Sequence, residues 1–235
     1  GQSVNTSWAC PGLASLLVVV DGFGNVVAHK EVMLENAHHK WSGSITGLAV
    51  AATDASGGDG HVWACGQSAD GQAWTVLRFR LSDVRAAGDG TVVVQEQYTM
   101  PWMDASSVYR CTLTYEPNEG AIQRPRLWVG AVVGGADASA GEARAYEIIG
   151  WPSSPGTVDI NGLGAVATLP YGAHVQGFAF FDDKLGMPHV ALAVCAFSTP
   201  SPCALEFRTR QPADVSLGDL QLALKIPAGI GSLAH

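Results

Sequence analysis

Trp41, Trp102 and Tyr171 each stand four to six residues ahead of an equivalent position in a strand-like apolar run, Ile45, Val108 and Val175 respectively. Flat aromatic faces beside hydrogen-bonding groups suit sugar rings or apolar peptide side chains. Asp104, His39 and His174 lie nearby in the chain as polar companions. The same aromatics also fit a packing role, wedged between sheets, and Trp63 and Trp128, at the centres of apolar runs, read as core. Nucleophile elbows, Walker loops and HExxH are absent. His38-His39 are adjacent, so they project in different directions, and they read as a solvated loop, not as metal ligands. Asp21-Gly22-Phe23-Gly24-Asn25 and Asp182-Asp183 carry turn chemistry more readily than phosphate binding or acid–base work. No catalytic residue, metal or cofactor follows from these patterns.

The five cysteines (Cys10, Cys65, Cys111, Cys195, Cys203) lack CxxC spacing, which argues against a thiolate zinc site. Cys195 and Cys203 bracket a Pro/Ser turn between two apolar runs, so a hairpin brings them within bridging distance. Cys65 and Cys111, in neighbouring repeats, are a second candidate pair. Asn5-Thr6-Ser7 is a glycosylation sequon at Asn5. Together with a disulfide it points to a secreted or cell-surface protein.

The elements that position these residues follow from composition and repetition. Of 235 residues, 47% are apolar types and only 14% are charged, against about 25% in an average soluble protein, so a packed core is expected and disorder is excluded. The net charge of −8, with no basic cluster, makes nucleic acid a poor partner. No apolar run approaches the roughly 20 residues of a helical membrane span. Twenty-eight Gly and 12 Pro cut the chain into short segments, which points to an all-β fold.

A four-part repeat of about sixty residues then suggests propeller blades. Ser44–Val50, Ser107–Leu113 and His174–Phe180 form its first part; His61–Gly66, Arg126–Gly130 and His189–Ala193 form its second, the third copy lacking a Trp. Val76–Leu81, Ala145–Ile148 and Ala204–Arg208 alternate like half-exposed strands with Arg and Glu outward. Met100-Pro101, Leu169-Pro170 and Ile226-Pro227 close the copies, since Pro is tolerated at the end of an outer strand. Leu81–Ala87 reads as a short helix. The expectation is one β-propeller domain of four-stranded antiparallel blades, four in number or part of a five-bladed ring. Its segments fall at about 1–40, 41–101, 102–170 and 171–227, with 228–235 completing or starting a blade.

The run Pro11–Val50, Phe79–Gly88, Arg126–Gly130 and Val175–Gly177 resemble, in the same order, a group of secreted bacterial and algal propeller-like proteins. The resemblance implies secretion and a propeller, and it brings no catalytic residues because the group has none assigned. Members of that group carry a further strand ahead of the first repeat here and more beyond the last, so the chain reads as a fragment. The functional expectation is a non-catalytic extracellular module that binds or assembles through protein partners or glycans; the alternative is a glycan-acting hydrolase with acidic residues at the channel mouth.

Overall fold

The structure, a computed structural model, describes residues 3–6, 16–34, 41, 43–51, 59–68, 71–103, 108–117, 124–133, 142–149, 159–168, 173–196, 203–211 and 216–226. The all-β expectation holds: the described residues form four four-stranded sheets of the propeller-blade type, with one helix of five residues. The chain divides into two compact units, residues 1–106 and 107–235.

The first unit holds two sheets. One is ordered β1-β2-β3-β7, from Ser3–Thr6, Leu16–Val20, Val26–Met33 and Gly90–Val93; the other is β4-β5-β6-β8, from Ser44–Ala51, His61–Gln67, Trp74–Arg80 and Glu96–Thr99. Between β6 and β8 the chain leaves its own sheet. It forms helix α1 (Leu81–Arg85), then adds β7 to the neighbouring sheet parallel to β3, the one parallel pairing among the described strands. Val94 N–H donates to Met33 O at 2.8 Å and Gln95 N–H donates to Arg78 O at 2.8 Å, so two consecutive residues stitch the sheets together. Residues 228–235, expected to complete or start a blade, lie outside the described residues. Leu17, Val32, Val62, Leu77, Phe79, Leu81, Val84 and Val92 fill the core between these sheets. Burying side chains of this size stabilises by about 1.5–3 kcal/mol each.

The second unit contains β12-β11-β10-β9 (Asp159–Thr168, Glu142–Ile149, Arg126–Val133, Val108–Glu116) and β13-β14-β15-β16 (Ala173–Asp182, Pro188–Ala196, Cys203–Gln211, Ser216–Ile226), both fully antiparallel. Trp128 and Phe178 are fully buried between them with Val175, Val190 and Leu192. The hairpins β2–β3 and β13–β14 turn in the same way. Asp21 Oδ1 accepts from the N–H groups of Phe23 and Asn25, and Asp183 Oδ1 accepts from those of Leu185 and Met187. Gly24 and Gly186 take the left-handed position in each, at φ 86° and 75°. Both aspartates are therefore turn residues, as their sequence context indicated.

Two further expectations concern chemistry of the strands. Cys195 and Cys203 are joined, directly opposite each other on β14 and β15 with Cα atoms 4.0 Å apart; Cys65 and Cys111 are each in a disulfide, and Cys10 lies outside the described residues. Cys195→Ala/Cys203→Ala is expected to cost about 2–3 kcal/mol, the loop-closure entropy of so short a ring, with the fold retained, as read by chemical denaturation. The outward-facing arginine expected at Arg78 is corrected. Arg78 is 4% exposed, because β6 is covered on both faces and its guanidinium turns to His61 and Glu96.

Candidate functional site

The first strand of the repeat carries the same irregularity in all three described copies. In β4 the pairing with β5 passes from Ile45 to Gly47, omitting Thr46. In β9 it passes from Arg110 to Val108, omitting Tyr109, and in β13 from Val175 to Gly177, omitting Gln176. A bulge removes one residue from the ladder, bends the strand and re-aims the extra side chain. Each falls near the end where its strand begins, so a polar residue stands out of the ladder there: Thr46, Tyr109 or Gln176. Thr46 and Gln176 are half-buried, and Arg110, half-buried, follows Tyr109. Within the second unit β9 and β13 pack side by side.

The aromatic residues singled out from the sequence have different fates. Trp41 is 4% exposed and joins the core of the first unit, its backbone N–H donating to Val32 O at 2.9 Å, so it occupies the packing role. Trp102 is half-buried in the turn closed by Met103 N–H donating to Met100 O at 3.0 Å. His174 lies on β13 opposite Cys195, and Asn5 on β1 opposite Val18. His39, Asp104 and Tyr171 lie outside the described residues. Trp63 and Trp128 are fully buried, as expected.

A second polar level recurs at the first residue of the repeat's second part, where the apolar runs drew attention away from the polar residue that opens each one. In β10 that residue is Arg126, whose Nη1 lies 3.8 Å from Glu116 Oε2. Glu116 also pairs with Arg210 and accepts a hydrogen bond from Trp128 Nε1 at 2.7 Å. All three charged residues are at least nine-tenths buried, and the Arg210 guanidinium sits 5.1 Å from the centre of the Phe180 ring. In β5 the residue is His61, with Nδ1 3.3 Å from Arg78 Nη1 and the ring edge-on to Trp63. Burial first, and the Arg78 charge second, push its pKa down to about 4. In β14 it is His189, stacked on Phe181 and 3.3 Å from Asp183 Oδ2. The backbone N–H groups of Met187 and Leu185 hold the Asp183 carboxyl below the usual carboxylate range.

Among the described residues no group of three or more His, Cys, Asp or Glu is placed to hold a metal ion. No helix among them is long and apolar enough to cross a membrane. No protein-family model matches the chain, and no curated protein matches it. Among solved structures, the intramolecular trans-sialidase from Ruminococcus gnavus, in complex with oseltamivir carboxylate, resembles it in fold, with a TM-score of 0.50 at 8% identity. The likeness covers 95% of this chain and 40% of that one, so the chain spans two fifths of the neighbour's length. At that identity the likeness carries the fold alone.

Proposed function

We propose that the chain is a non-catalytic binding module that holds a protein partner or a glycan at the entry ends of its first-part strands. The observation supporting this is the bulge repeated in β4, β9 and β13, because a deformation kept at one place in three copies aims side chains where packing does not require it. Gln176 and Arg110 offer hydrogen-bond donors there, and His174, Tyr171, Trp102, Asp104 and His39 are the further contact candidates. The disulfides support a secreted or cell-surface setting, with Asn5 as the glycan acceptor. A low share of charged residues supports partner contact, since interface cores are depleted of charge.

A second reading, a glycan-acting hydrolase, draws on the trans-sialidase as fold neighbour. Incubating the chain with sialylated and neutral glycan arrays, and separately with fluorogenic glycosides, distinguishes the two. Retention without product release supports the module; turnover supports the hydrolase. Gln176→Ala is expected to weaken array binding about tenfold, the worth of one good hydrogen bond, with an unchanged circular dichroism spectrum. Undiminished binding by this variant together with His174→Ala would remove the site from the entry end of β13.

A further inference from the structure

The same repeat position has three different electrostatic settings, and only one of them sets a histidine against a cation. Arg126 in β10 is a permanent cation beside Glu116. His189 in β14 lies 3.3 Å from Asp183 Oδ2, so its partner is a carboxylate. His61 in β5 faces Arg78. A guanidinium can only donate hydrogen bonds, so the contact between Arg78 Nη1 and His61 Nδ1 requires an unprotonated Nδ1, with the ring neutral.

We propose that His61 is an acid-sensitive lock in the first unit: neutral, it accepts from Arg78 and holds β5, β6 and β8 together, and protonated, it releases β6 and β8. Arg78 is the joint on which this turns. Its side chain reaches both His61 and, at 3.6 Å, Glu96 of β8. Its carbonyl accepts from Gln95, the residue that carries the chain back from β7 into β8. A proton on His61 would place two cations 3.3 Å apart where the residues are 2% and 4% exposed.

The other charged groups facing His61 do not reverse this. On β6 there is Arg80, which repels a further positive charge, while on β4 the residue opposite is Ala51. Asp59, just before β5, favours protonation, but its oxygens accept from the Ser82 N–H at 3.0 Å and the Ser82 hydroxyl at 2.5 Å. Glu96 is spent on Arg78 and is itself half-exposed. Burial and Arg78 outweigh Asp59 and the Phe79 carbonyl, leaving the ring's pKa near 4 against 6.5 in an unfolded chain.

The pH window follows from that order. The open form binds the proton more tightly, so the lock is intact above about pH 6.5 and weakens as pH falls towards 4, below which no more is lost. Over that interval the opening equilibrium is expected to rise on the order of 10²-fold.

The test is carried out on the whole chain. Carbon-edited NMR of the imidazole resonances follows His61 from pH 8 to 3.5, and hydrogen exchange follows the amides of β6 and β8 beside those of β10 and β14. The expected result is a ring titrating near 4, with protection lost in β6 and β8 ahead of β10 and β14. In His61→Asn, whose amide oxygen replaces Nδ1 as a pH-independent acceptor, that selective loss disappears. A ring titrating near 6.5 without loss of protection, a uniform loss over all four strands, or an unchanged acid profile in His61→Asn overturns the lock. If that variant does not fold, the parent's titration and the order of strand opening decide alone.

Discussion

Glu116→Ala is expected to cost the second unit about 3–5 kcal/mol, the penalty for removing one partner from a buried ionic cluster. A chain of ordinary stability holds only about 5–15 kcal/mol in all. Glu116 is 1% exposed and serves three groups at once: it pairs with the charges of Arg126 and Arg210 and accepts from the Trp128 indole N–H at 2.7 Å. Burial already depresses the Arg210 pKa, showing that its charge is held at a desolvation cost. Without the carboxylate that cost is uncompensated, and the Phe180 face beneath the guanidinium returns only about 1–2 kcal/mol. Glu116→Gln keeps an acceptor for Trp128 but loses the charge, so it should fall between the parent and the alanine variant. Urea denaturation measures both, and a loss below 1 kcal/mol for Glu116→Ala would show that the cluster contributes little.

The second large effect is steric. A Cβ on Gly66 would lie 1.9 Å from Ser44 O and 2.9 Å from Ser44 C, both backbone atoms of the paired strand. No rotamer change relieves that contact, so β4 must move away from β5 beside its bulge at Thr46. Gly66→Ala is therefore expected to cost about 3 kcal/mol or more, at or beyond the upper end of ordinary overpacking. Gly177, in the equivalent bulge of β13, has nothing within 4 Å of a Cβ, so Gly177→Ala should stay within about 0.5 kcal/mol. Equal effects of the two substitutions on thermal stability would contradict this account.

What the sequence determined by itself is local. Short apolar runs bounded by turn residues placed the starts of β4, β5, β9, β10, β13 and β14 to within a residue, because such runs are written into the chain, while β9, β10 and β14 extend about three residues beyond the runs that announced them. Cys195 and Cys203 were legible as a pair for the same reason: eight residues and a Pro-containing turn leave a hairpin as the natural path between them. The short helix at Leu81–Arg85 was legible too. What only the tertiary structure decided involves partners far apart in the chain. Glu116 and Arg210 meet across 94 positions, and β3 recruits β7 from some sixty residues downstream, an event that no periodicity announces. Arg78 read as solvent-facing because alternation predicts direction and not cover; burial of both faces of β6 made it a buried donor. Trp41 fitted a packing wedge somewhat better than a ligand contact by type and spacing, and only the structure shows it buried in the first unit's core. The bulges at Thr46, Tyr109 and Gln176 were hidden for a related reason. A bulge is a mismatch between two strands, and one strand's sequence does not contain the register of its neighbour.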